Sequence, residues 1–199
     1  MKVEINKSMK LSEHFTLGEL CKTKHVTEDG NIPSHVSIEN LKRICENWLE
    51  DLRYSYNMLY VHSGGRPQSK VAGDCTLAPD PGAAPELGAA GSAARAEAGA
   101  AAEARKEEGI VINSGYRSPE VNRLAGGVPS SNHVTGCAVD IRCAGKEQMI
   151  RYAAILLDIA DETKRDFDEL LLEQHGSVCW LHFAVRPKDN RRKIAFLKV

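Results

Sequence analysis

A histidine in the segment SSNHVTGCAVD, His133, is followed seven positions later by Asp140, and a second histidine, His182, stands in the separate segment CWLHFAV. Two imidazoles and a carboxylate form a ligand set that holds a catalytic metal through three protein groups and leaves a fourth position open for water. A single histidine or aspartate would say little, because most sit at the surface or in hydrogen-bonded turns. The three together point to metal-assisted hydrolysis, in which the ion brings the pKa of its water from about 16 toward 7. That chemistry also needs a carboxylate to move a proton and a cation to hold substrate.

A cation stands upstream in INSGYRSPEVNRLAGG. Ile110, Val111 and Ile112 read as a short buried strand ending at Asn113-Ser114-Gly115. Ser118 and Pro119 supply an N-cap and a first-turn proline, Val121 and Leu124 a helical face, and Gly126 a stop. Arg117 therefore sits at a strand-to-helix junction, a rigid base from which a guanidinium reaches a carboxylate or a polarised carbonyl.

The motifs SGYRSPEVN, then SxHxxGxAxD as Ser131, His133, Gly136, Ala138 and Asp140, then Trp180-Leu181-His182, resemble the zinc D-Ala-D-Ala carboxypeptidase family. That family includes the vancomycin-resistance D,D-peptidases and the phage L-Ala-D-Glu endolysins, which cut peptidoglycan stem peptides. The resemblance covers roughly residues 10 to 62 and 109 to 199, with its strong motifs in the second stretch. It implies zinc bound by His133, Asp140 and His182, a peptidoglycan stem peptide as partner, and substrate bound by Arg117, with Ser131 and Trp180 as further candidates. It also implies an α+β fold of the hedgehog and D-Ala-D-Ala-peptidase type. Ser131 and Asn132 read as residues that support the ligands or as turn residues, with a solvent-facing turn the first reading for Asn132.

Many members of the family carry the catalytic carboxylate three residues before the last histidine ligand, where this chain has Cys179. Strand geometry offers a substitute. Phe167 to Gln174 and Cys179 to Val185 read as strands separated by His175-Gly176-Ser177-Val178. With Gln174 opposite Cys179, Glu173 falls opposite Trp180, on the face of His182 and diagonally about 7 Å away. Glu173 is the first choice for general base and His175, in the turn, the second; a solvated strand carboxylate and a loss of activity stand beside them. Two functions follow: a zinc peptidase of carboxypeptidase or endopeptidase type, or a zinc-stabilised peptidoglycan-binding module without turnover.

The elements that position these residues are legible in outline. Thr16-Leu17-Gly18-Glu19 reads as a capping box with Leu17 and Leu20 inward. Ile38, Leu41, Ile44, Trp48, Leu49 and Leu52 give a helix from Ser37 to about Tyr54; Met149, Ile150, Ala153, Leu156 and Leu157 give another from Lys146 to about Ala160. With strands near 110, 138, 170, 181 and 195, the expectation is a mixed, mainly antiparallel sheet of four to five strands with helices on one side.

Residues 83 to 104 hold twelve alanines, and no aromatic residue occurs from Gly64 to Gly109, so about 64–108 reads as a low-complexity insertion in a single domain spanning 1–199. Its composition favours disorder, with a lid or partner arm as the alternative.

A net charge of −1 gives no bulk attraction for nucleic acid, and the basic stretch Arg186 to Lys193 reads as a solvated turn before it reads as a contact for anionic wall polymer. Six cysteines without a CxxC pair read as reduced; Cys137 and Cys179, close to ligands in sequence, read as buried side chains before competitors for metal. The N-terminus MKVEINKSMKLSEHF lacks a signal-peptide core and no membrane span is visible, so the expectation is cytoplasmic synthesis with action at the cell wall after lysis or assisted release.

Overall fold

The computed structural model describes residues 6–62 and 107–199. The chain divides into two compact units, residues 1–56 with 109–199 and residues 57–108. The expected insertion lies almost wholly outside the described residues; of the second unit, a wide helical turn at Asn57–His62 and residues 107–108 are described. The first unit carries the sheet and all of the candidate site residues.

Its helices are α1 (Leu17–Leu20), α2 (His35–Ile44), α3 (Glu50–Tyr56), α4 (Pro119–Leu124) and α5 (Lys146–Thr163). Its strands are β1 (Ile112–Ser114), β2 (Ala138–Cys143), β3 (Glu169–His175), β4 (Val178–Ala184) and β5 (Lys193–Lys198). They form one five-stranded sheet in the order β1-β2-β4-β3-β5, antiparallel at every pair except the parallel β3–β5. The architecture is α+β, as expected.

The capping box at Thr16 and Glu19 forms, and it buries Leu17 and Leu20. Ser34 caps α2 by accepting from Ser37 N, so the helix starts two residues before the expected Ser37. α2 runs into α3 through a π-helical turn at Cys45–Leu49 that keeps Trp48 and Leu49 in the core; the Trp48 and Phe183 ring centroids lie 5.0 Å apart. In α5 the buried stripe is Met149, Tyr152, Ala153, Ile155, Leu156, Ile159 and Ala160. Ile150, expected inward, is 56% exposed, because a helical turn of about 100° per residue carries it off that stripe. Val111 and Leu124 are likewise exposed rather than core.

The helices cover one face of the sheet through Val139 and Ile141 of β2, Leu181 and Phe183 of β4 and Leu170 of β3, all fully buried. Strand alternation places Asp140 and His182 on the opposite face.

The stretch Arg186 to Lys193 folds onto acidic partners of its own chain. Asp168, fully buried, accepts from Arg191 Nε at 2.8 Å and Nη2 at 2.6 Å, pairs with Arg186 at 2.9 Å and accepts from Asn132 Nδ2 at 2.8 Å. Lys193 reaches Glu169 at 3.2 Å. Burial raises the Asp168 pKa, but these donors more than offset it and leave the carboxyl near 2.

A folded-state pKa below the unfolded value contributes stability that is present above about pH 4 and lost as pH falls through 2. Asp168→Asn is therefore expected to be less stable than wild type by about 2 kcal/mol at pH 7. Urea unfolding should show that gap closing between pH 4 and 2; a gap independent of pH would refute this assignment.

Candidate metal centre

Three groups converge on the open face of the sheet. His133 Nε2 lies 3.2 Å from Asp140 Oδ1 and 3.3 Å from His182 Nδ1, and His182 Nδ1 lies 2.9 Å from Asp140 Oδ1. The corners of a tetrahedron around an ion with bonds of roughly 2.0–2.1 Å are about 3.3 Å apart, so the three donor atoms have the spacing of one face of such a shell. All three residues are buried. The donor set fits a divalent metal, with Asp140 supplying the anionic ligand.

Each ligand comes from an element that fixes it. Asp140 on β2 and His182 on β4 are direct cross-strand partners, so the sheet sets their separation. His133 sits on a short 3₁₀ turn, Asn132–Thr135, whose N-cap Ser131 accepts from His133 N at 3.4 Å. Gly136 ends the turn at φ +71°, where a Cβ would stand 2.4 Å from the Ser37 carbonyl oxygen. That backbone conformation and that contact exclude a larger residue.

Each ligand also has an outer partner. His133 Nδ1 faces the Gly115 carbonyl at 2.6 Å; only an N–H donates to a carbonyl, so Nδ1 carries the hydrogen and Nε2 is turned to the centre. Asp140 presents Oδ1 to the imidazoles while Oδ2 is held by Arg117, whose Nε donates to Ser114 Oγ at 2.8 Å. His182 Nε2 lies 3.6 Å from Glu169 Oε2. Asn132 Nδ2 links that carboxylate, at 3.2 Å, to Asp168, at 2.8 Å.

Glu169 is a site residue that sequence reasoning missed, whereas Asn132, read from sequence as a support for the ligands or a turn residue, bonds both Glu169 and Asp168. The signal was strand parity, since Glu169 lies two positions from Leu171, the residue paired with His182, and so shares its face. Asn31 was missed too. It is buried at φ +53°, donates to the carbonyls of Cys21 at 2.9 Å and Tyr116 at 3.3 Å, and accepts from Ser118 N at 2.7 Å, clamping the Arg117 junction.

The hairpin has the register expected from sequence, Gln174 opposite Cys179 and Glu173 opposite Trp180. Glu173 and Trp180 therefore share the face of His182, and both are half-buried. Cys179 does not: three positions along a strand reverse the side, and it is buried in the core directly opposite Cys143. His175 stands four residues along β3 from Leu171, about 13 Å at 3.3 Å per residue, with Nδ1 2.6 Å from the Val199 carbonyl. Cys137 is buried and contacts the Thr135 carbonyl.

The electrostatics follow from these contacts. Burial disfavours charge on His182, but Asp140 and Glu169 more than offset it and raise its pKa to about 9. His182 holds Glu169 near 2, assisted by Lys193. Burial costs Asp140 its charge, yet the two histidines drive its pKa far below the carboxylate range. Glu173 moves the other way: burial raises it, with His182 opposing and Asp140 adding to the rise.

Because the metal-free His182 is protonated at pH 7, ion binding must expel that proton. Calorimetric titration with Zn²⁺ in buffers of different ionisation enthalpy is expected to show about one proton released at pH 7 and close to none above pH 9. A release that does not change with pH would be inconsistent with that state. Glu169→Gln is expected to weaken Zn²⁺ affinity by about 10- to 100-fold in competition with a chromophoric chelator; an unchanged affinity would remove Glu169 from the centre.

No curated protein matches the chain. A family model described as Peptidase M15 matches residues 88–164, a stretch that holds Arg117, Ser131, His133 and Asp140 and ends before β3. The resemblance of the motifs is thus shown over that stretch: residues 88–164 match Peptidase M15, the family of the zinc D-Ala-D-Ala carboxypeptidases.

Proposed function

We propose that the protein is a zinc-dependent peptidase that hydrolyses peptidoglycan stem peptides, as a D,D-carboxypeptidase or L,D-endopeptidase, with Glu173 as general base. The observation that carries this reading is a half-buried carboxylate on the face of three convergent metal ligands, its pKa raised by that burial. Supporting it are the Peptidase M15 match, since that family's members are metallopeptidases, and the register that sets Glu173 beside Trp180.

His133, Asp140 and His182 would hold the zinc, which when bound would supply Lewis acidity. The chain's own residues do the rest. Glu173 takes a proton from the attacking water at its carboxylate and returns it to the leaving amine, a task for which a pKa raised toward neutrality is suited. Trp180, directly opposite Glu173 on the neighbouring strand, flanks that carboxylate. Arg117, while fixing Asp140, also lines an adjoining cleft and offers its remaining N–H groups to substrate. Action at the cell wall, after lysis or assisted release, is part of the same proposal.

The second reading, a metal-stabilised binding module, rested on Cys179. Cys179 is buried in the core opposite Cys143, so the peptidase reading places the carboxylate at Glu173 instead.

Mass spectrometry of muropeptides incubated with the zinc-loaded protein is expected to show cleavage abolished by a chelator, the mass lost naming the bond. Glu173→Gln is expected to lower kcat by about 10²- to 10⁴-fold while one equivalent of zinc stays bound. Intact muropeptides with zinc bound would instead favour the binding module.

A further inference from the structure

A cleft of about 450 Å³ opens beside the metal centre along the edge strand β1. Its walls come from the segment after α1, from β1, from α4 and from β2, and its polar lining includes Lys22, Lys24, His25, Ser114, Arg117 and Arg142. Among the described residues, no aspartate or glutamate lines it. Four permanent cations therefore face one cavity in a chain whose net charge is −1. Arg117 has its carboxylate partner in Asp140, whereas Lys22, Lys24 and Arg142 have no ion pair among the described residues. The contrast with Arg186, Arg191, Arg192 and Lys193 is sharp, because all four of those are matched by acidic groups of the same chain. Like charges gathered around a cavity without counter-charges repel one another, and an anion entering it relieves that repulsion.

We infer that this cleft is a subsite for a substrate segment bearing two or more carboxylates, held by Lys22, Lys24 and Arg142 beyond the group that engages Arg117. The inference rests on the peptidase reading above. Its geometric basis is continuity: Arg142 follows Asp140 by two positions on β2 and so shares its face, and Arg117 touches both the centre and the cleft. A peptide whose scissile carbonyl lies at the centre would extend one flank toward β1, where acidic groups meet these cations. Charge recognition of this kind contributes to specificity and encounter rate as well as affinity.

The test separates the cleft from the chemistry. Glutarate, a small dicarboxylate, is titrated into the zinc-loaded full chain and followed by amide NMR, with glutaramide as the neutral control. Saturable shifts at Lys22, Lys24 and Ser114 are expected, weakened about tenfold in Lys22→Ser/Lys24→Ser/Arg142→Ser and absent with glutaramide. No saturable shift, or binding that persists in the triple variant and so marks coordination at the metal, overturns the inference. So does tighter binding of inorganic phosphate than of glutarate. For stem peptides, the triple variant is expected to raise KM about tenfold with kcat unchanged, and side-chain amidation of the peptide should erase that difference. If no stem peptide is hydrolysed at all, the peptidase reading fails, while the glutarate titration still decides the cleft.

Discussion

Asp140 is the group on which the site depends. One buried carboxylate receives two imidazoles on Oδ1 and a guanidinium on Oδ2, and each of those partners comes from a different element: the 3₁₀ turn, β4, and the β1–α4 junction. Burying a carboxylate is costly unless it is paired and hydrogen-bonded, so the fold must bring all three elements together or keep none of them. Without a metal the carboxylate is matched by the protonated His182 and by Arg117; with a metal, the ion takes the place of the proton. The same convergence would thus serve both stability and ligation.

The surrounding structure restricts how far those elements move. Gly115 lies against α1 so closely that a Cβ would meet the Leu20 carbonyl at 2.3 Å, and its own carbonyl orients His133. Asn31 joins the same junction to the segment after α1. On the other side, Asn132 and Asp168 connect the 3₁₀ turn to β3 and to the arginines that follow β4. These hydrogen bonds fix the His133 tautomer and the orientations of the three side chains, the condition under which a metal site is preorganised.

Much of this was legible in the sequence, for identifiable reasons. Period-two alternation fixed the hairpin register and with it the placement of Glu173, because a slip of one residue would have sent His182 into the core. Helical periodicity located α2, α3 and α5 but misjudged Ile150 and Leu124, as the reading of an apolar run as a buried strand misjudged Val111; their exposure depends on how neighbours pack rather than on spacing. Asn31 and Glu169 were invisible, and the role of Asn132 was left open, for another reason. Each acts across long sequence separations, through contacts to Tyr116, Asp168 and His182 respectively, and no local pattern marks a polar residue for such a role. The basic stretch after β4 looked solvated because its counter-charge, Asp168, precedes it by a whole hairpin.

The two-residue turn Gly176–Ser177 joins the strand of the proposed base to the strand of the last ligand. Their separation is therefore a property of inter-strand pairing, not of distance along one strand. The position three before His182 is turned the other way, and Cys179 is buried in the core there beside Cys143. Such pairing also makes the turn a coupling element: growth or loss of a single residue within it that shifted the pairing by one would leave Glu173 and His182 each intact and set them on opposite sides of the sheet. A change of length in this turn would keep the two side chains together only if it preserved pairing parity, so a surface loop would answer to groups several residues away.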